Sequence, residues 1–325
     1  MNLALLNMAH EATKLYALPE HLAVTLVNLS ENATYLVEAP DGRRWALRIH
    51  RDGYHTKAAI ASELAWLIAL REHGVAITPR PVKGRNGEII QTISHPQLPH
   101  TRHVVLSEWE GGIEPGIGQD LIKPFEVLGE LTARMHHHAR QWKRPANFER
   151  FTWNFETSLG DRKPHWGRWR DGMGVETEKV KLFGRTVDLI GKRLAAYGHG
   201  SERFGLVHGD TRLANLLIDG DMVKVLDFDD CGFSWFMYDA ATPVSFYEHE
   251  PQVPALIEAW KAGYRRAATL SKEEEEEIPT FIMLRRLLLV AWIGNRSETA
   301  LAKSMGLAYT EGTAGLCEGY LGKFG

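Results

Sequence analysis

The chain has 325 residues, 44% of them hydrophobic and 24% charged, an ordinary composition for a globular protein. Lys and Arg total 38 against 41 Asp and Glu, and the net charge of −3 argues against a dedicated nucleic-acid binder or a polybasic membrane sensor. The two cysteines, Cys231 and Cys317, exclude a disulfide framework and a cysteine-rich zinc site, so a reducing cytoplasm is the expected location.

Residues 1–9 are mildly apolar without a basic lead-in and read as the start of a helix, not a signal peptide. Residues 22–29, 34–39 and 44–50 read as strands, and Pro40-Asp41-Gly42 joins the last two as a hairpin. A helix is expected over 57–73, with Thr56 as N-cap and Gly74 as the stop. Strands at 88–93 and 103–108 follow. After Trp109, the residues Gly111, Gly112, Pro115, Gly116 and Gly118 mark a flexible linker. It divides an N-terminal domain, 1–108, from a C-terminal one, 109–325.

A helix over 123–142 carries Phe125, Leu128, Leu131 and Met135 on one face. Helices dominate beyond it, interrupted by a strand–turn–strand near 205–227. Three consecutive histidines, His136 to His138, suggest a metal site, but adjacent helical residues diverge by about 100° and cannot converge on one ion. They read as structure or surface. The acidic run 273–277 follows Ser271 as a capping box and a dipole-complementing first turn. The longest apolar run, 287–293, is far short of the ~20 residues a membrane span needs, and Arg285 and Arg286 precede it. No membrane partner is expected, and the sequence sets no oligomeric state.

The chemistry lies in residues 206–230. His208-Gly-Asp210 places a carboxylate on a tight loop, and Asn215 starts a strand. Asp219-Gly-Asp221 turns the chain, and 222–226 returns antiparallel, ending at Asp227. Asn215 and Asp227 therefore sit at one end of a hairpin, with Asp210 in the loop feeding it. Two carboxylates and an amide oxygen are hard ligands suited to Mg2+, which takes a few protein oxygens plus phosphate. The phosphoryl-transfer template needs this set: a loop Asp to accept the hydroxyl proton, an Asn five residues on, and a second Asp beyond a hairpin. His-x-Asp alone is unspecific; the spacing, the hairpin and the strand-terminal Asp together specify it.

His208-Gly-Asp-x4-Asn215 followed by Leu226-Asp-Phe-Asp resembles the aminoglycoside phosphotransferase and choline kinase-like superfamily. The likeness extends over nearly the whole chain, through Leu106-Ser-Glu-Trp-Glu-Gly as hinge and Leu131-Thr-Ala-Arg-Met-His at the end of the next helix. The resemblance implies an α+β, two-lobed protein-kinase-like fold. Its small N-lobe would be an antiparallel sheet with one main helix, and its C-lobe mainly helical. It implies ATP and Mg2+ as cofactors, Asp210 as the catalytic base, and Asn215 and Asp227 as metal ligands. Adenine is expected on the hinge backbone at Ser107 and Trp109, and Asp239 matches the buried Asp that braces the catalytic loop.

A kinase-type small lobe also needs a strand cation for the α/β-phosphates, held by a helix carboxylate. Arg48 shares a strand face with Ala46 and His50, and Glu63 lies on the apolar face of its helix. An inward carboxylate without a partner costs several kcal/mol, and Arg48 is the natural partner. Two features depart from the family. The strand cation is Arg48 where Lys is usual, and the two are not interchangeable at a forked site. No glycine-rich phosphate loop is present; 28–34 stands in its place, with Ser30 and Asn32 as candidate phosphate donors.

Four of ten tryptophans, Trp142, Trp153, Trp166 and Trp169, fall just before the catalytic loop, where the superfamily inserts acceptor-binding elements. Set beside Asp229 and Asp230 they suit a cationic acceptor through cation–π attraction, or they are core packing between helices. The expected activity is transfer of the γ-phosphate to a hydroxyl of a small-molecule acceptor, a small amino alcohol or similar cation, with no nucleic-acid partner. A Ser/Thr protein kinase of the same superfamily and a nucleotide-binding pseudokinase are the alternatives.

Overall fold

The computed structural model describes residues 2–29 and 32–325. The chain forms two compact units. The first takes the described residues up to Gly111 together with Lys143–Arg150; the second takes Gly112–Trp142 and Phe151–Gly325.

The first unit contains α1 (Asn2–Thr13), β1 (Ala23–Leu29), β2 (Ala33–Glu38), β3 (Arg44–Ile49), α2 (Lys57–Glu72), β4 (Gln91–Ile93) and β5 (Arg102–Glu108). Its sheet runs β1-β2-β3-β5-β4, with every neighbouring pair antiparallel. Alternation sends Tyr35 and Val37 of β2 and Leu47 and Ile49 of β3 into a core shared with Met8 and Ala12 of α1. Arg48 therefore belongs to the opposite sheet face. Thr56 Oγ1 accepts the Ala59 N–H at 3.0 Å and starts α2, while Gly74, with φ +67°, follows its end.

The segment 143–150 is tied to α2. The Glu149 N–H donates to Ser62 Oγ at 2.9 Å, and Arg150 Nη1 donates to the Ala59 carbonyl at 3.1 Å. Thr56 Oγ1 donates to Glu149 Oε1 at 3.0 Å.

The second unit contains α3 (Ile122–Gln141), β6 (Phe151–Thr152), α4 (Phe155–Leu159), α5 (Thr177–Tyr197), β7 (Phe204–Val207), β8 (Leu216–Asp219), β9 (Met222–Val225) and β10 (Gly232–Trp235). It continues through α6 (Tyr238–Ala241), α7 (Val253–Tyr264), α8 (Lys272–Asn295) and α9 (Ala300–Phe324). Helices α3 and α7 meet backbone to backbone. A Cβ on Gly129 would stand 1.9 Å from the Trp260 carbonyl oxygen, and one on Gly263 1.8 Å from that of Glu126. Strands β6 and β7 flank β10 in a small sheet that the sequence does not signal; β6 is only two residues long and forms through distant pairing.

The breaker-rich stretch after Gly111 differs from the flexible linker expected of it. Ile113 exchanges both backbone hydrogen bonds with Ile218 of β8, each at 2.9 Å, so it docks on the hairpin of the catalytic loop. Ser271 and Glu274 form the capping box at the start of α8. Among the described residues no helix is long and apolar enough to cross a membrane.

Candidate active site

The hairpin β8–β9 pairs Leu216 with Val225 and closes at Asp219 and Met222. The Leu226 N–H donates to the Asn215 carbonyl at 2.8 Å, which sets Asn215 and Asp227 at the same end. Asp227 itself adopts φ 54°, ψ 74°, a left-handed conformation that Asp tolerates better than most residues but that still stores strain.

His208 joins the loop to this hairpin end. Its Nε2 lies 3.0 Å from the Leu226 carbonyl oxygen, so it carries the proton, and Nδ1 accepts the Asp210 N–H at 3.2 Å. Its ring packs 4.4 Å from Phe228. Gly209, between the two, has φ +79°, and a Cβ there would meet the Asp230 carbonyl oxygen at 2.9 Å. Only glycine passes both constraints.

Below the loop, Asp239 is fully buried and accepts the His208 N–H at 3.0 Å and the Gly209 N–H at 2.7 Å. His136 Nε2 adds a third donor at 3.0 Å, with Nδ1 of the same ring 3.1 Å from the Tyr264 hydroxyl. One of the three consecutive histidines is thus a buried brace for the loop's brace. Thr211 and Thr242 pair through their hydroxyls at 2.7 Å.

Asp210 is held on both oxygens. Asn215 Nδ2 donates to Oδ2 and to the main-chain oxygen of Asp210, both at 2.8 Å, and Arg212 Nε approaches Oδ2 at 3.4 Å. Arg285, from the middle of α8, donates through Nη2 to Oδ1. Burial pushes the Asp210 carboxyl upward, but the Arg285 and Arg212 guanidiniums outweigh it and hold the group below the usual carboxylate range. Burial of Tyr238, which accepts a hydrogen bond from Arg285, pushes its phenol up to about 12 despite that neighbour.

The donor set fits Mg2+. Because the Asn215 amide nitrogen is spent on Asp210, its Oδ1 is the atom left to ligate. With the Asp227 carboxylate it offers two hard oxygens, the few protein ligands Mg2+ takes beside phosphate. No larger cluster of His, Cys, Asp or Glu suited to a metal occurs among the described residues.

In the first unit, Arg48 Nη1 donates to Glu63 Oε1 at 2.8 Å, joining β3 to α2. The Asn32 side chain accepts the Arg51 N–H at 3.0 Å, so its oxygen is committed to the backbone after β3. Ser30 lies outside the described residues. Ser107 sits within the sheet, opposite Ala46 of β3, and the Trp109 N–H donates to the Arg44 carbonyl at 3.2 Å. An adenine accepting from Trp109 would have to displace that contact.

Three of the four tryptophans are core, and Trp142 is half-buried. Trp153, Trp166 and Trp169 are buried, with Trp153 edge-on to Trp166 at 5.1 Å and its indole N–H donated to the Asp230 carbonyl at 2.9 Å. Cations do lie over these rings, but they belong to the chain: Arg285 stands 5.1 Å from the Trp166 centroid and Arg170 4.1 Å from that of Trp169. Asp229 and Asp230 are buried in the turn directly after Asp227 and Phe228.

An antiparallel-sheet unit bearing a braced cation, and a helical unit bearing a loop Asp, an Asn and a hairpin Asp, define a kinase-like phosphotransferase. A profile of the Phosphotransferase enzyme family matches residues 24–274, and the chain belongs to that family. Among solved structures, a microcompartment-associated aminopropanol kinase is 42% identical, covering 98% of both chains with a TM-score of 0.90. The amicoumacin kinase hAmiN, solved with AMP-PNP, Ca2+ and Ami, shares the fold at 20% identity and a TM-score of 0.75, covering 95% of this chain and 92% of that one. The amicoumacin kinase of Bacillus subtilis (strain 168) is 23% identical over 284 residues, 80% of this chain and 77% of that protein. The two-lobed α+β, protein-kinase-like fold and phosphotransferase activity follow, and family membership implies use of ATP and Mg2+.

Proposed function

We propose that the chain transfers the γ-phosphate of ATP to the hydroxyl of a small amino alcohol, with Asp210 as the base. The observation that carries the acceptor class is the 42% identity, over 98% of both chains, to an aminopropanol kinase. In this reading the first unit is the nucleotide-binding lobe, and the second carries the catalytic loop and the acceptor elements. Arg48, held by Glu63, is the cation for the α/β-phosphates. The Asn215 amide oxygen and Asp227 would hold Mg2+, which would supply neutralisation of the charge building on the phosphates.

The acceptor oxygen forms a new bond to the γ-phosphorus as the bond to the ADP oxygen breaks. Its proton passes to Asp210, and ADP leaves with the electron pair. Asp229 and Asp230 are the carboxylates assigned to the acceptor ammonium, because the Trp166 and Trp169 faces are taken by the chain's own guanidiniums.

The test is a coupled ATP-consumption assay across amino alcohols, hydroxy amino acids, neutral sugars and a generic protein substrate. Turnover is expected with amino alcohols. Phosphorylation of a neutral sugar with no amino alcohol turned over defeats the acceptor assignment, and phosphorylation of the protein alone marks a protein kinase. Mg·ATP binding without turnover of any acceptor marks a pseudokinase.

A further inference from the structure

Helix α8 carries two adjacent buried arginines, Arg285 at 2% and Arg286 at 1% exposure. Burying a guanidinium carries a desolvation penalty even after relaxation, and an apolar residue at either position would pack without it. The two differ in what they hold. Arg286 donates to Glu248 Oε2 at 2.6 Å, to Thr313 Oγ1 at 2.7 Å and to the Tyr309 carbonyl at 2.8 Å, which ties α8 to α9. Arg285 reaches the catalytic loop. Its Nε donates to Ser245 Oγ at 3.1 Å, Nη1 to the Tyr238 hydroxyl at 3.0 Å and more distantly to the Gly209 carbonyl at 3.5 Å, and Nη2 to Asp210 Oδ1.

Each carboxylate oxygen offers two lone pairs. On Asp210, Oδ2 receives both Asn215 and Arg212, whereas Oδ1 receives Arg285 alone. One lone pair is left on the carboxylate, on the oxygen that Arg285 holds. The acceptor hydroxyl has to meet that oxygen. Asn215 and Arg212 both grip Oδ2, so without Arg285 the carboxylate would be held at one oxygen only and Oδ1 would have no partner to fix where it stands.

We propose that Arg285 is a positioning residue for phosphoryl transfer, fixed by Ser245 and Tyr238, which holds the second oxygen of the Asp210 carboxylate and aims Oδ1 at the acceptor hydroxyl. This rests on the reading of Asp210 as the base. Arg285 acts through Asp210: its hydrogen bonds run to Ser245, Tyr238, Gly209 and Asp210, and to neither Asn215 nor Asp227. Its loss therefore lowers the rate of the chemical step and not the binding of substrates.

Arg286 is the internal control, equally buried on the same helix and without contact to Asp210. Steady-state kinetics and thermal melts are compared for Arg285→Lys and Arg286→Lys, with an amino alcohol as acceptor. Both should melt earlier than the parent. Arg285→Lys should lose ~10–100-fold in kcat, the scale expected of a misplaced catalytic group, with both KM values within about threefold. Arg286→Lys should keep kcat within about threefold. Equal kcat losses in the two variants would overturn the proposal, as would an Arg285→Lys that raises the acceptor KM and spares kcat.

The milder variants Tyr238→Phe and Ser245→Ala guard against misfolding of the first pair. Each should lower kcat several-fold alone and add little on the Arg285→Lys background, because all three act through one strut. Full additivity would refute the strut. Asp210→Asn is run in parallel: if it keeps turnover, the assignment of the base fails, and if it alone loses turnover while the Arg285 variants do not, only this inference fails.

Discussion

Arg48–Glu63 in the first unit and Arg285–Asp210 in the second are the same chemical pair built the opposite way round. In the first, the arginine side chain is 20% exposed and the glutamate 3%. In the second, the arginine is 2% exposed and the aspartate 11%. The deeper member braces and the shallower one is presented, so a carboxylate serves a cation in one unit and a cation serves a carboxylate in the other. Neither pair is best understood as a source of stability, since buried ion pairs barely recover their desolvation cost. Each holds one charged group in one orientation.

That contrast can be broken from either side. The largest effect is expected at the presented carboxylate: Asp210→Asn keeps an acceptor for Arg285 but removes the base. Turnover should fall ~10²–10⁴-fold with ATP affinity retained, as read by coupled assay and calorimetry. At the presented cation, Arg48→Ala leaves Glu63 buried without its partner. Chemical denaturation should show a loss of up to ~3–5 kcal/mol together with weaker nucleotide binding, and Arg48→Lys should recover part of both. Unchanged melting and ATP affinity in Arg48→Ala would remove the pair from the account.

A smaller effect separates metal from base. Asp227→Asn tolerates the left-handed backbone while removing the charge, so the fold should survive. Mg·ATP affinity should drop by at least the ~10–100-fold seen when even an outer-shell metal partner is lost. Equal affinity in the two proteins, by calorimetry with and without Mg2+, would mean that Asp227 is no ligand.

The smallest effect concerns the surroundings of the first pair. His50, two residues beyond Arg48, is pulled well below its ordinary range by burial and then by the charges of Arg48, His55, His103 and Arg150. A histidine kept neutral in the fold but able to charge when unfolded stabilises the fold above about pH 6.5. That contribution is lost as the pH falls below that value, by at most ~1.4 kcal/mol per pH unit. Urea midpoints at pH 7.5 and 5.5 should differ in the parent and converge in His50→Asn.

What the sequence made legible followed the distance over which each contact is made. Asp210 and Asn215 are five residues apart, and the turn at Asp219-Gly-Asp221 carries Asp227 back to them, so local rules reach that end of the hairpin. Periodicity sufficed for Arg48 and Glu63, because strand and helix faces each point one way. Arg285 lay beyond such rules. It stands 75 residues from Asp210 and reads, from its neighbours, as a charge flanking an apolar run. The available signal was two arginines inside a stretch too apolar to be a surface, since arginine is almost never fully buried unless paired. His136 was hidden for a related reason: consecutive histidines speak against a shared ion without telling which of them turns inward. The tryptophans were ambiguous because a ring that suits a ligand cation suits an internal guanidinium equally well.

The return of residues 143–150 to the first unit bears on how the protein is made. That unit is not contiguous in the chain: α2 takes part of its hydrogen bonding from Glu149 and Arg150, about forty residues beyond the hinge. During synthesis at ~5–20 residues per second, the sheet and α2 emerge some seconds before the segment that completes them. By then α3, the first long helix of the other unit, has already been produced. Neither unit can finish as an independent piece in order of translation, and a fragment ending near Gly111 would leave the Ser62 hydroxyl and the Ala59 carbonyl without these partners.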